Sequence, residues 1–408
     1  MDGFRKNSVI MIFLTTSSSA INYLCQVALG HIMTLSSYGI INTIFSLILV
    51  LSVPATSINM LTAKLIAQQA NPLQPQEPIA FLMKRLGVKI SIGLMIFSVL
   101  FCIPGAKMLQ AHPVTIIVTG VSVAVAVFPA VISGVLTGKG AFLAAGLFSL
   151  VVPFCKALGV LGAFAFSSDL AQQLVVLFSI VVGNILSIVA GRRALASSGT
   201  TPWSKIAGRI SALDTSAKWI IVVNFVYLLF GNGDIFFITL FLGTEQSGIY
   251  SASMLFGRVL FFFTTALVSV LLPYVSRAAS SQGVPNRVFK ISIFMTTAVC
   301  LVCMIPVNLF PEWIISLVYG ERYIPAVIFV PYSCLSATLV SLLNLELNYF
   351  IGIGREKRIT CHMVIALLML FVGVALFHQT VQQILVVLIA VLMGLFFLEL
   401  PACWGKKI

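Results

Sequence analysis

The stretch "GRRALASSGTTPWSKIAGRISALDTSAK", from Gly191 to Lys218, decides how the chain is organised. It is polar and basic, and apolar runs long enough to cross a membrane lie on both sides of it. These runs form two sets of six, one before the stretch and one after it. Trp203, among basic residues, predicts a short piece that lies at the inner membrane interface. We therefore expect two six-helix lobes, residues 1–204 and residues 205–408.

The apolar runs extend over nearly the whole chain of 408 residues. It is 60% hydrophobic and 9% charged, and its mean hydropathy is +1.10. This composition excludes an ordinary soluble domain. At roughly 20 residues per crossing, the sequence predicts an all-α polytopic membrane protein with about twelve spans. We place them at 9–33, 38–63, 89–110, 113–137, 141–166, 171–190, 219–242, 248–275, 291–311, 326–352, 360–378 and 381–401.

The basic residues indicate the orientation of these spans. The chain has 24 Lys and Arg residues and a net charge of +13. With the N-terminus in the cytoplasm, only Lys107 and Arg322 fall outside, and Lys156 and Arg258 fall within spans. The remaining 20 all lie on the inner side, as the positive-inside rule requires. The sequence therefore predicts a multi-pass membrane protein with both termini in the cytoplasm. The charge reflects topology and contact with membrane lipids, so no nucleic-acid partner is expected.

The two halves are weakly similar in sequence. A shift of 209 residues, which takes Gly39 to Gly248, aligns "YGIINTIFSLILVL" with "SGIYSASMLFGRVL". Six spans in each half make this a parallel repeat, with both halves in the same orientation. In transporters, such repeats commonly enclose a substrate path. We therefore expect the two lobes to surround a central cavity.

The first span contains polar residues that share one face of a helix. Steps of three or four residues separate them, and the shift of 209 aligns them with a second polar stripe in the seventh span. Because lipid offers no hydrogen-bond partners, both stripes should face protein or water. They line the cavity or, alternatively, only join neighbouring helices. The predicted substrate-contacting residues are Thr15, Ser18, Asn22 and Gln26 in the first span, and Asn224 and Tyr227 in the seventh.

Four ionisable residues lie well inside the predicted spans: Lys156, Asp234, Arg258 and Glu346. Each costs roughly 2.5–3.5 kcal/mol at a helix centre unless it is paired or hydrated. Similar depths predict an Asp234–Arg258 ion pair, either as a structural contact or as a coupling device. Lys156 has no obvious acidic partner and is the best candidate for a lipid-phosphate contact. Glu346 is a second coupling candidate, although it could simply pair with a basic residue of the following loop, Arg355 or Arg358.

Several stretches resemble a known family. "SSYGIINTIFSLILVLSVPATSINMLTAKLIAQ", "GDIFFITLFLGTEQSGIYSASMLF", "GVLTGKGAFLAAG" and "NYFIGIGREKR" are similar to span junctions of Wzx-type polysaccharide-biosynthesis flippases. These flippases belong to the multidrug/oligosaccharidyl-lipid/polysaccharide exporter superfamily. The resemblance implies alternating access, which moves an undecaprenyl-pyrophosphate-linked oligosaccharide to the outer leaflet for polysaccharide or O-antigen synthesis. It further implies that Lys156 and Arg258 meet the pyrophosphate and that Asp234 is the acidic residue of the seventh span.

Other functions stay open at this point. A multidrug exporter of the same superfamily would favour cationic ligands and more acidic residues in its cavity. An integral-membrane polysaccharide polymerase would need catalytic groups, commonly on a large outer loop, and the predicted outer loops are short. We expect a transporter rather than an enzyme, without a metal or cofactor, and with a polysaccharide polymerase and glycosyltransferases as further partners.

Overall fold

The computed structural model describes residues 2–67, 77–195, 215–259 and 285–404, and the regular structure within these ranges is helical. The Trp203 segment, the 204/205 boundary and residues 260–275 of the eighth predicted span lie outside the described residues. The helices are α1 (Asp2–Ile32), α2 (Leu35–Leu51), α3 (Val53–Ala67), α4 (Glu77–Met108), α5 (Pro113–Gly138), α6 (Phe142–Ala163), α7 (Asp169–Leu195), α8 (Thr215–Leu242), α9 (244–259), α10 (Pro285–Leu309), α11 (Pro311–Tyr319), a 3₁₀ helix (Glu321–Phe329), α12 (Val330–Gly352), α13 (Glu356–Leu376) and α14 (Val381–Trp404).

Ten of the described helical segments are long and apolar enough to cross a membrane. They correspond to ten of the twelve predicted spans. Of the other two spans, the first falls on α1, and the described part of the eighth ends at residue 259. The all-α polytopic fold predicted from the sequence is therefore confirmed.

The second predicted span is built from two helices rather than one. α2 ends at Leu51, Ser52 caps it, and α3 begins at Val53 with Pro54 in its first turn. Proline lacks an amide hydrogen and clashes with the preceding turn, so a break is favoured here. The Ser52 hydroxyl donates to the Leu49 carbonyl at 2.7 Å, which satisfies a backbone group at the end of α2.

The chain forms two compact units. The N-terminal unit comprises Met1–Ser37 and Leu47–Asp214, and the C-terminal unit comprises Tyr38–Ser46 and Thr215–Ile408. Within the N-terminal unit, α5 packs against α3, α4 and α7, while α1 packs on α6 and α6 on α7. Within the C-terminal unit, α12 packs against α8, α10, α13 and α14. The central helices α5 and α12 are the most buried of the candidate spans.

The connection before α12 has more structure than the sequence predicts. It contains α11 and the 3₁₀ helix, which place Tyr319 and Tyr323 in the core. Both rings pack on Tyr38 of α2, and the hydroxyls of Tyr38 and Tyr319 lie 3.2 Å apart. This aromatic contact is part of the packing that places Tyr38–Ser46 of α2 in the C-terminal unit.

Candidate functional site

Lys156 is a buried cation in the N-terminal unit. It lies on α6, its side chain is 7% exposed, and its ammonium group donates to the Asn22 Oδ1 atom of α1 at 3.3 Å. The Asn22 amide nitrogen in turn donates to the Ser18 carbonyl at 3.1 Å. Two residues predicted to contact substrate therefore lie together, and the amide oxygen of Asn22 orients the charge.

The other polar residues of α1 differ in their surroundings. The Ser18 hydroxyl donates to the Ser149 carbonyl of α6 at 3.2 Å, a bond that joins two helices. Gln26 is buried, and Thr15 is half-buried. The Ser18 contact fits the interpretation that the stripe joins neighbouring helices. The Asn22 contact with a charged group fits the interpretation that the stripe lines a cavity.

A pocket in the C-terminal unit contains the other two predicted charges. Asp234 of α8 and Arg258 of α9 both line it, and its cavity volume is about 20 Å³. The remaining lining comes from the same two helices and from α12: Phe230, Gly231, Tyr250, Met254, Gly257, Ser333, Ser336, Ala337 and Val340. A cavity of this volume holds about one water molecule, so it suits water and protons better than an oligosaccharide.

Asp234 and Arg258 do not form the direct ion pair that their depths predicted. Among the described residues, neither is part of a salt bridge within 4.0 Å. The Asp234 carboxyl instead accepts hydrogen bonds from the Tyr250 hydroxyl and, at 2.8 Å, from the Ile235 amide. The Arg258 guanidinium donates to the Ser46 hydroxyl of α2 at 3.1 Å. Tyr250 therefore takes the place predicted for Arg258, because its hydroxyl reaches the carboxyl from the next helix.

The polar stripe of α8 is only partly represented in this pocket. Gly231 and Asp234 line the pocket, whereas Asn224 and Tyr227 lie one to two turns earlier on α8, half-buried. Asn224 and Tyr227 are not among the described residues that line this pocket. Their predicted substrate contacts stay predictions.

Glu346 lies in the same unit, on α12, and its side chain is fully buried. The expected pairing with Arg355 or Arg358 is wrong. Arg358 of α13 lies instead 3.5 Å from Glu399 of α14, whose carboxyl also hydrogen-bonds His362. Neither carboxyl oxygen of Glu346 has a hydrogen-bond partner among the described residues.

Sequence reasoning missed three residues of these sites. Tyr250 belongs to the Gly-Ile-Tyr motif after the seventh span, but an aromatic residue near a span end has no obvious polar partner in the sequence. Glu399 lies inside the last predicted span and could have been recognised as an ionisable residue there. His362 lies two residues after the predicted start of its span, and only the fold shows that it reaches Glu399. Within the described residues, no group of three or more His, Cys, Asp or Glu side chains is arranged to hold a metal ion.

A model for a family described as "Polysaccharide biosynthesis protein" matches residues 87–328. The match covers more than half of the chain. The chain belongs to this family. This membership confirms the resemblance to polysaccharide-biosynthesis proteins. The same sequence gives no match among individually curated proteins.

Solved structures similar to this family member are membrane transporters. An inward-facing multidrug resistance MATE family transporter of the MOP superfamily matches with a TM-score of 0.72 and 15% identity, over 95% of this chain and 94% of that one. The lipid II flippase MurJ, in an inward closed conformation, matches with a TM-score of 0.73 and 13% identity, over 97% and 87%. The MATE multidrug transporter DinF-BH matches at 0.69 and 10%, over 99% and 96%. These likenesses establish a shared fold.

Proposed function

We propose that the protein is a flippase that moves a lipid-linked oligosaccharide from the cytoplasmic to the outer leaflet of the bacterial cytoplasmic membrane by alternating access. Membership of a polysaccharide biosynthesis family supports this proposal. A fold shared with a lipid II flippase over nearly the whole chain supports it further. The substrate class is an undecaprenyl-pyrophosphate-linked oligosaccharide used for polysaccharide or O-antigen synthesis, and polymerases and glycosyltransferases are its pathway partners.

The single observation on which the substrate assignment rests is the buried ammonium group of Lys156. A charge removed from water is costly unless a counter-charge or hydrogen bonds compensate it. Its ammonium group donates to the neutral amide oxygen of Asn22, which places the charge beside the polar side chains of α1. In this proposal the ammonium group binds the pyrophosphate, and the polar side chains of α1 hydrogen-bond the sugars. The polyprenyl tail would remain in lipid.

Asp234 and Arg258 are the proposed link between transport and its energy source. In this proposal Asp234 exchanges a proton, and Tyr250 transmits the change of charge to Arg258 across the shared pocket. Glu346 is a second coupling group. The membrane potential is an alternative driving force, since it contributes about 2.3 kcal/mol per charge per 100 mV.

A multidrug exporter is the second candidate function, because MATE transporters share the fold equally well. The two functions require opposite charge at the substrate site. A drug exporter would need an acidic group at the substrate site to bind a cation, whereas the polar face of α1 lies against a cation, Lys156. For this reason we favour the anionic lipid-linked substrate.

The test is a flipping assay in proteoliposomes that contain a fluorescent undecaprenyl-pyrophosphate oligosaccharide. We expect Lys156→Ala to lower the flipping rate by about tenfold or more, because truncating one partner of a buried charge pair costs about 2–5 kcal/mol. Lys156→Arg should retain much of the rate, since guanidinium also binds phosphate. The matched control is Lys139→Ala, which removes an exposed lysine at the end of α5.

The assay also discriminates between the two functions. Wild-type rates in all lysine variants, with equal protein in the vesicles, would overturn the role of Lys156. Energy-dependent efflux of a cationic dye by the wild-type protein, without any flipping of the lipid-linked oligosaccharide, would favour the drug exporter.

A further inference from the structure

Glu346 is a buried acid with no hydrogen-bonding partner in the described structure. Its side chain on α12 is 0% exposed, and neither carboxyl oxygen accepts a hydrogen bond from any described residue. An ionised carboxylate in that position would be strongly unfavourable, because neither water nor a donor compensates its charge. The unfavourable charge is avoided if the Glu346 carboxyl is protonated or if it binds a cation.

A second buried acid, Glu399, lies on α14, which packs against α12. Glu399 of α14 is also 0% exposed, and the charge of Glu399 acts on Glu346. Among the described residues, Glu399 is the charged group that interacts electrostatically with Glu346. The helices packed against α12, and the loop after it, also carry other charged or titratable side chains. The others include Lys218, Tyr227 and Asp234 on α8, Lys290, Cys300 and Cys303 on α10, Arg355 in the loop, and Glu356, Lys357, Arg358, Cys361 and His362 on α13.

Glu399 differs from Glu346 because an imidazole and a guanidinium lie against its carboxyl. Its carboxyl hydrogen-bonds the Nδ1 atom of His362 and lies 3.5 Å from the Nε atom of Arg358. The side chains of His362 and Arg358 are 30% and 39% exposed, whereas Glu399 is fully buried. His362 therefore connects a buried acid to the surface of the unit.

We propose that Glu346 and Glu399 form a proton-binding carboxylate pair, and that His362 is the group through which the proton enters. Two adjacent carboxylates cannot both stay ionised in a buried site. Arg358 and His362 compensate the charge of Glu399, and a proton compensates that of Glu346. A proton from water adds to Nε2 of His362, the Nδ1 proton crosses to Glu399, and the ring is again neutral. The proton then passes to Glu346, and Glu399 is ionised again beside Arg358.

This pair is separate from the Asp234 pocket. Asp234 already has the Tyr250 hydroxyl and the Ile235 amide as donors. Glu346 lies six residues before the end of α12 and His362 six residues after the start of α13, about 9 Å from each helix end. Basic residues flank these helix ends, and the positive-inside rule predicts that they face the cytoplasm. Any use of this proton in transport rests on the proposed function, whereas proton binding itself does not.

Infrared spectroscopy of the full-length protein in lipid vesicles tests the pair without a transport assay. At neutral pH we expect the carbonyl stretch of a protonated carboxylic acid in the wild-type protein and its loss in Glu346→Gln. Glu312→Gln is the matched control, because Glu312 is an exposed acid of the same unit, and it should retain the band. An unchanged band in Glu346→Gln would overturn the proposal.

Transfer into D₂O tests whether protons enter through His362, using a variant that retains Glu346 and Glu399. His362→Asn retains a hydrogen-bond donor but cannot carry a proton, so the deuterium shift of the acid band should become slower by about tenfold or more. An unchanged exchange rate would remove His362 from the proposal. Loss of the wild-type band when sodium chloride replaces choline chloride at constant pH would also overturn it, since the acids would then bind sodium. A failed flipping assay would leave all three outcomes unaffected.

Discussion

Asp234 shows how a single acid is accommodated inside a predicted membrane span. A tyrosine hydroxyl from α9 and a backbone amide from α8 donate to its two carboxyl oxygens. The guanidinium of Arg258 lines the same pocket without pairing directly. Tyr250 therefore determines where the Asp234 side chain points, and it is the residue to alter when the pocket is tested.

We expect Tyr250→Phe to lower the free energy of unfolding by about 1–3 kcal/mol, because it leaves a buried carboxyl oxygen without its donor. Chemical denaturation in detergent micelles measures the change. Tyr332→Phe on α12 is the matched control, since Tyr332 is half-buried and should change stability by at most about 0.5 kcal/mol. Equal stability of Tyr250→Phe and wild type would show that the hydroxyl contributes nothing.

Residue partners were the hardest feature to obtain from the sequence. Helix depth placed Asp234 and Arg258 at the same level, but depth alone does not give the direction of a side chain around the helix axis. Lys156 illustrates the opposite case. Its predicted contact with a lipid phosphate stays a prediction, but the structure brings it together with Asn22, which the sequence placed in the polar stripe of α1.

In the C-terminal unit, α2 approaches α9 very closely at Gly39. A Cβ atom placed on Gly39 would lie 2.0 Å from the Thr244 carbonyl oxygen and 2.7 Å from the Gly248 amide nitrogen of α9. Nearby, the Thr43 and Thr239 hydroxyls lie 2.6 Å apart. Only glycine allows the two backbones to come this close.

Gly39→Ala should therefore separate α2 from α9 and destabilise the protein by about 1–3 kcal/mol, the usual cost of overpacking. Gly93→Ala on α4 is the matched control, because no atom lies within 4 Å of the position its Cβ would take. The control should be as stable as wild type or up to about 1 kcal/mol more stable, because alanine favours a helix more than glycine does. Similar denaturation midpoints for the two variants would contradict the close contact.

The long helices were predictable because a span in lipid must be apolar for roughly 20 residues. The break between α2 and α3 was indicated by Pro54, although α5, α6 and α10 continue through Pro129, Pro153 and Pro306. The short α11 and the 3₁₀ helix could not be predicted in the same way. Each has nine residues, too few for a span, and their aromatic residues become informative only once Tyr38 is seen beside them.

At the scale of the whole molecule, the internal repeat and the close contact concern the same two residues. The shift of 209 aligns Gly39 with Gly248, and these two glycines lie against each other. The alignment that revealed the internal repeat thus also identifies two glycines that are in contact. The lobe boundary at 204/205 stays a prediction, and the C-terminal unit additionally includes Tyr38–Ser46.

The orientation of the chain in the membrane is the remaining whole-molecule prediction. Lys107 and Lys139 are exposed residues near opposite ends of the hairpin formed by α4 and α5, and the charge distribution predicts that they face opposite sides of the membrane. In a variant whose eight native cysteines are replaced, Lys107→Cys should react with a membrane-impermeant maleimide in intact cells. Lys139→Cys should react only after permeabilisation. Labelling in the reverse pattern would invert the topology, place the basic helix ends of α12 and α13 outside, and make the Glu346–Glu399 pair accessible from the outer face rather than from the cytoplasm.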